Sequence, residues 1–185
     1  MCFLLSATTS FAQQDVPLGD NDILRLILTT SFADSGFTVV APNTGFGIDE
    51  DATDVEAIKS SICENFACQG FGVSALLDSL LARNVNSSDI TLASSPIDGY
   101  IIDYDGTYWR YLAEGDKGWD AWHRDHPNAH GWTQVSLPAY DAESGLCLIF
   151  VGTLRGVLAG SGYLLLYRYE DGEFKRLGRV LLWEV

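Results

Sequence analysis

The sequence predicts an α+β fold, with N-terminal helices packed on a mainly antiparallel sheet that the C-terminal half forms. In the first half, apolar residues recur three and four positions apart in two segments, which is the spacing of one helix face. Near Trp132 the pattern changes to short β-branched and aromatic runs separated by turn residues, as in strands. Because the helices come first and the strands later, an alternating α/β arrangement is disfavoured.

Three segments of the first half predict helices, and one predicts a strand. Segment 47–67 has acidic residues crowded at its start, which favours a helix N-terminus through the helix dipole. Segment 36–42, GFTVVAP, is a short β-branched run closed by proline and predicts a strand. The other two helices are predicted from apolar stripes: Ile23, Leu24, Ile27 and Leu28 in segment 20–34, and Val73, Leu76, Leu77, Leu80 and Leu81 in segment 72–84.

The second half predicts antiparallel strands, with a wide, glycine-rich connection in segment 152–163 between two of them. Asp171 and Gly172 predict a two-residue hairpin turn, because this dipeptide tolerates the positive φ angles that such turns need. By the same argument, Asp105 and Gly106 predict a hairpin within GYIIDYDGTYWRYL. The main strands are expected in segments 132–138, 146–154, 162–170 and 173–185.

The first dozen residues, MCFLLSATTSFA, are typical of the end of an export signal. Phe3 to Thr9 form a short apolar and small-residue core, and Ser10 and Ala12 occupy the small positions of a cleavage site. A basic start is missing, so residues 1–12 are interpreted as a remnant of the signal. The apolar run is far shorter than the ~18 residues that a membrane span needs. We expect an exported, soluble protein, periplasmic or secreted, without membrane insertion.

Cleavage after Ala12 would leave residues 13–185, enough chain to bury one sizeable core. No linker, low-complexity tract or repeat divides this part of the sequence, so a single α+β domain is expected. The formal net charge is −14. An acidic chain repels phosphate backbones, and nucleic acid is therefore not an expected partner.

Three cysteines would remain after cleavage, an odd number that predicts one bridge and one free thiol in an oxidising compartment. Cys63 and Cys68 can approach each other only if a helix ends between them, and the segment CQGFG predicts that end. We therefore predict a Cys63–Cys68 disulfide, with Cys147 buried and free. A bridge between Cys63 and Cys147 is the alternative.

Segment 119–132, WDAWHRDHPNAHGW, contains every histidine of the chain, spaced as H-x2-H-x3-H. On one continuous helix these side chains would lie close together and could hold zinc. Zinc would lower the pKa of a bound water and support hydrolysis. The candidate residues of such a metal-dependent hydrolase are His123, His126 and His130, with Asp120 or Asp125.

Pro127 argues against that metal site. It disfavours helical geometry at His126 and removes a backbone donor, so a helix that begins near Trp119 is expected to end there. Trp119 and Trp122 would then face inward, and residues 127–131 would turn the chain into the next strand. The three histidines would lie on a loop near solvent, and we assign no metal ligand.

Aromatic residues are dense between Tyr100 and Trp132, where four tyrosines and four tryptophans occur. Flat rings stack on pyranose faces, which makes a glycan a candidate ligand, although ordinary cores are also rich in aromatic residues. No P-loop, HExxH or CxxC pattern occurs in the chain. A G-x-G-x-x-A pattern starts at Gly70 but lacks the preceding strand of a dinucleotide site, so no cofactor is expected.

Several patterns occur together in residues 119–185. They are W-x2-W, a proline four residues before a glycine, a strand ending in FVG, the G-x-G-Y-apolar strand GSGYLLLYRY, a D-G turn and a last strand containing tryptophan. With these patterns the chain resembles a group of uncharacterised bacterial exported proteins. The resemblance implies export and a fold of this kind, and it implies no activity.

The sequence shows no combination of nucleophile, base and orienting group that would indicate catalysis. We therefore expect a non-catalytic binding or interaction module of the cell envelope, with an unknown envelope protein or a glycan as its partner. The alternative is the metal-dependent hydrolase that would use His123, His126 and His130.

Overall fold

The computed structural model describes residues 18–32, 36–46, 60, 64 and 73–185. The α-helices of these ranges are α1 (Asp20–Phe32), α2 (Val73–Arg83), α3 (Trp109–Leu112) and α4 (Asp116–Asp125), with a 3-10 turn at Pro96–Asp98. The strands are β1 (Phe37–Val40), β2 (Tyr100–Ile102), β3 (Ala129–Val135), β4 (Ala139–Asp141), β5 (Leu146–Gly156), β6 (Ala159–Glu170) and β7 (Glu173–Glu184).

These strands form one sheet in the order β2-β1-β3-β5-β6-β7, and β4 pairs with β5 beyond the end of β3. All pairs among β3 to β7 are antiparallel. The α+β fold with a mainly antiparallel, C-terminal sheet is therefore confirmed. The sequence did not predict that β1 would lie between β2 and β3 and run parallel to both. A long connection that includes α2 separates β1 from β2, as a parallel pairing requires.

The helices cover both faces of the sheet, and the side chains of β5 alternate between the two apolar cores that result. Cys147, Ile149 and Val151 belong to the core that α1 covers. Leu148 and Phe150 point to the opposite face and pack with α2. The same face continues under α4, where Val39, Trp132 and Leu154 are found. The described part of the chain thus has three layers, with α1 on one side and α2 and α4 on the other.

The hairpin turn between β6 and β7 is confirmed. Asp171 and Gly172 have φ angles of 56° and 86°, and Glu170 pairs with Glu173 directly across the turn. Two positive φ angles in succession are the geometry of the type I′ turn, whose twist matches that of the flanking strands.

The prediction of a hairpin around Asp105 and Gly106 is wrong. Strand β2 pairs with β1 instead of with a following strand, and the next element is the helix α3. The carboxylate of Asp103 accepts hydrogen bonds from the backbone N–H groups of Tyr108 (3.1 Å) and Trp109 (2.9 Å). These bonds satisfy donors at the start of a helix, and the chain turns into α3 where a second strand was expected.

Cys147 is free and fully buried, as predicted. The predicted Cys63–Cys68 bridge lies outside the described residues, as do residues 1–12 and the predicted helix 47–67 apart from Ser60 and Glu64, which are helical. None of the described helices combines the length and the apolar composition that a bilayer crossing requires.

Candidate functional site

A cleft of about 840 Å³ opens on the face of the sheet that α2 and α4 share. Its lining includes Phe150 and Trp183 from the core under α2, and Trp132 and Leu154 from the core under α4. The cleft therefore lies over the sheet between the two areas that the helices cover. Its size falls within the range of about 300–1,000 Å³ that is usual for small-molecule sites.

Three glycines shape the floor of the cleft by leaving room for the indole of Trp183. A Cβ on Gly152 would lie 2.8 Å from Phe150 Cζ, and one on Gly160 would lie 3.2 Å from Trp183 Cζ3. A Cβ on Gly162, which pairs with Trp183 across β6 and β7, would overlap the indole nitrogen Nε1. The indole of Trp183 in the last strand thus lies flat against the sheet, over Gly160 and Gly162 of the G-x-G-Y strand.

One wall of the cleft is an exposed tryptophan held in a defined position. Trp109 has 55% of its surface exposed, whereas its neighbour Trp132 is 7% exposed. Their ring centroids are 5.3 Å apart with an interplanar angle of 52°. The backbone N–H of Trp109 donates to Asp103 Oδ2, so the ring contact and the hydrogen bond together orient the exposed indole.

The polar side chains that line the cleft include two carboxylates, two amides and the Tyr104 hydroxyl, which hydrogen-bonds to the backbone of Leu92. Asp103 is 3% exposed and Asp105 is exposed, and the amides belong to Asn43 and Gln134. Hydrogen bonds from Thr107 hold the pKa of Asp105 below its usual range, and so this carboxyl is ionised at neutral pH. Among the described residues that line the cleft there is no lysine, arginine or histidine. The cleft is therefore negatively charged and suits neutral or cationic ligands.

The structure does not bring the three candidate metal ligands together. His123 donates a hydrogen bond from Nε2 to the carbonyl oxygen of Arg155 at 3.0 Å. His126 follows the last residue of α4, and His130 is exposed on β3. Within the described ranges, no group of three or more His, Cys, Asp or Glu side chains is placed to hold a metal ion. The helix ends at Asp125, before Pro127, which separates the histidines as the sequence predicts.

The expectation that the three histidines lie on a loop near solvent is wrong, because His123 is in α4, His130 is in β3, and aromatic rings enclose His126. Its ring centroid lies 4.8 Å from that of Tyr108, 5.5 Å from that of Tyr111 and 6.0 Å from that of Trp122. Its Nε2 is buried without a hydrogen-bond partner in the described part of the chain. The tyrosines come from α3 and the turn before it, which the sequence did not reveal as a helical segment.

Trp119 and Trp122 anchor α4 on the sheet, as predicted. They are 6% and 0% exposed, and their ring centroids are 5.3 Å apart. The following strand begins at Ala129, three residues before the predicted start at Trp132. The early start arises because β3 also pairs with β1, where Phe37 is the partner of Ala129.

The sequence predicts only part of the cleft. Trp109 and Trp132 lie in the aromatic segment that suggested a glycan ligand, but Trp183 and the glycines beneath it come from the last three strands. A usable signal was present, because Gly160 and Gly162 are two residues apart and so lie on one face of a strand. A stripe without side chains on one face leaves room for a large neighbouring group.

Comparison of the chain with models of known families, with curated proteins and with solved structures finds no match.

Proposed function

We propose that this protein is a non-catalytic binding module of the cell envelope, periplasmic or secreted, and that its cleft binds a glycan. The observation that carries the proposal is the exposed indole of Trp109, which Trp132 and Asp103 orient in a cleft that the amide of Gln134 also lines. Its location in the envelope rests on the export signal that residues 1–12 predict.

Sugar recognition combines a flat apolar contact with directed hydrogen bonds. The C–H groups on one face of a pyranose ring can lie on the indole of Trp109, while its hydroxyls reach the side chains of Asn43, Gln134 and Asp105. Since Trp109 is already oriented, little side-chain entropy is lost when a sugar binds to it. A protein partner of the envelope fits less well, because the main aromatic groups line a concave cleft.

The two carboxyl groups of the cleft favour binding over glycoside hydrolysis. A glycosidase needs a carboxylic acid that stays protonated at working pH, which requires a raised pKa. Asp105 has a lowered pKa, and both oxygens of Asp103 already accept backbone hydrogen bonds. Asp105 thus has the opposite shift to the one that a general acid needs, and the oxygens of both carboxyl groups serve as hydrogen-bond acceptors.

The proposal is tested by isothermal titration calorimetry with soluble β-1,4-linked oligomers of glucose, N-acetylglucosamine and glucosamine. We expect at least one of them to bind, and we expect Trp109→Ala to weaken its binding about tenfold or more, which corresponds to about 1.4 kcal/mol. Leu158→Ala is the control, because Leu158 is 84% exposed at the turn between β5 and β6 and does not line the cleft. Failure of all three oligomers to bind, or equal binding by Trp109→Ala and wild type, contradicts the proposal.

A further inference from the structure

We infer that the cleft selects glycans that carry a free, protonated amine over neutral glycans of the same length. The inference rests on the proposed function and adds the chemical class of the ligand. It follows from the charges around the cleft, from the free acceptor positions on the two carboxylates and from the indole beside them.

The charge of the cleft is not balanced within the described part of the chain. Asp103 and Asp105 line it without a lysine, arginine or histidine, and neither forms an ion pair with a described residue. The formal net charge of the whole chain, these two residues included, is −14. A neutral sugar leaves this local charge unbalanced, whereas an ammonium group provides the missing opposite charge.

The carboxylates also have acceptor positions to offer. Asp105 Oδ1 accepts the backbone N–H of Thr107 at 3.0 Å, the Thr107 side chain is a second hydrogen-bond partner of this carboxylate, and its two oxygens together offer about four lone-pair sites. Each oxygen of Asp103 accepts one backbone N–H, and a carboxylate oxygen has two lone pairs. An ammonium group with three N–H donors can therefore bond to these carboxylates without displacing the bonds that hold α3.

The indole of Trp109 adds a second attraction for a cation. Its backbone is bonded to Asp103, so the ring and the carboxylate are positioned together at the same end of α3. The face of an indole attracts cations through the ring quadrupole, and tryptophan is the strongest of the aromatic residues in this respect. An amine held by the carboxylates would lie beside this ring, and an acetylated amine would lose both charge-dependent contacts.

The experiment compares two ligands that differ only in acetylation, the β-1,4-linked glucosamine tetramer and the N-acetylglucosamine tetramer, at a pH where the amines are protonated. We expect the amine form to bind about tenfold more tightly. We expect this ratio to decrease when the salt concentration is raised from about 0.1 M to about 1 M, because the Debye length falls from about 10 Å to about 3 Å.

Two variants separate a local effect from that of net charge. Asp105→Asn keeps an oxygen that can accept the Thr107 N–H but removes the charge, and we expect the affinity ratio to fall towards one. Glu173→Gln removes one charge at the other end of β7 from Trp183 and should leave the ratio unchanged.

The outcomes distinguish this inference from the proposed function. If neither tetramer binds while the glucose oligomer does, the amine selectivity is wrong and glycan binding stands; if none of the three oligomers binds, both are overturned. If the acetylated form binds as tightly as the amine form, the amine selectivity is wrong while glycan binding stands. If Asp105→Asn keeps the full preference for the amine, the origin of the selectivity in the charge of the cleft is wrong.

Discussion

The shape of the cleft depends on a few residues that have no side chain. Gly162 faces Trp183 across the β6–β7 ladder, and Gly152 lies on β5 beneath the same indole. Because a glycine in a strand interior weakens the strand, its presence here needs a local reason. The reason is the close approach of the indole, which fills the space where side chains would project from the sheet.

Gly162→Ala is therefore expected to destabilise the protein. The new methyl group would overlap Trp183 Nε1, and the indole or the backbone would have to move, at a cost of about 1–3 kcal/mol. Gly156→Ala is the matched control on the same sheet, because its Cβ would meet Ala159 Cβ at an ordinary 3.4 Å, and it should change stability by less than about 0.5 kcal/mol. Denaturant melts measure both. Equal losses for the two variants would contradict this account of the floor.

The histidine segment gives a second test at the level of single residues. Trp122 is fully buried, and Trp122→Ala should lower the free energy of unfolding by about 3–5 kcal/mol. The double variant His126→Ala with His130→Ala should lose less, although His126 packs against three aromatic rings. A larger loss for the histidine variant, or a loss that occurs only when metal has been removed with a chelator, would identify a metal site and contradict our interpretation.

At the level of elements, the sequence predicts those helices, strands and turns that patterns of neighbouring residues determine. The apolar stripes of α1 and α2 and the turn at Asp171 and Gly172 appear in the structure where they were expected. Their signals lie within about a dozen neighbouring residues, because helix faces and hairpin turns are made by residues close in sequence. Strands β5, β6 and β7 were expected in the same way, but the wide connection expected between β5 and β6 is a two-residue turn between Gly156 and Ala159.

The elements that were predicted wrongly depend on partners far away in the sequence. Strand β2 was predicted to pair with its successor, but it pairs with β1, about 60 residues earlier. Asp103 directs the chain into α3 through its carboxylate, a role that its neighbours in the sequence do not reveal. The cleft also depends on distant partners, because Trp109 and Trp183 are far apart in the sequence and line one cleft only in the folded chain.

The turn from β4 into β5 makes a prediction about pH. Asp141 accepts hydrogen bonds from the Ser144 hydroxyl and from the backbone N–H groups of Glu143 and Ser144, and these bonds lower the pKa of its carboxyl in the folded state. The unfolded pKa is about 3.9. The stabilising contribution is therefore complete above about pH 4 and is lost as pH falls through the lower folded value.

Denaturant melts of wild type and Asp141→Asn between about pH 6 and pH 2 check this prediction. The wild type should be the more stable protein at the upper end, and the difference between the two should shrink as Asp141 becomes protonated. The other carboxyl groups are common to both proteins and cancel in the comparison. A difference that stays constant over this range would show that the charge of Asp141 contributes nothing to the turn.

At the level of the whole molecule, the cleft is a consequence of how two helices share one face of the sheet. Helix α2 has 11 residues and α4 has 10, which corresponds to lengths of about 15 Å each. Each covers its own end of that face, and their apolar cores do not merge. The strip between them is lined by aromatic residues and glycines, so it stays concave without leaving a large flat apolar surface.

One alkylation experiment on the cysteines tests both the burial of Cys147 and the disulfide bond expected of an exported protein. Cys147 lies in the core that α1 covers, where burial raises the pKa of its thiol well above the usual range. Since the thiolate is the reactive form, Cys147 should resist alkylation in the native protein.

With the predicted Cys63–Cys68 bridge, protein lacking residues 1–12 should react with no iodoacetamide when folded, with one equivalent after denaturation, and with three after denaturation and reduction. Mass spectrometry of the unreduced peptides identifies the pair. Alkylation of Cys147 in the folded protein would contradict its burial, whereas three equivalents without reduction would contradict the bridge and weaken the case for export.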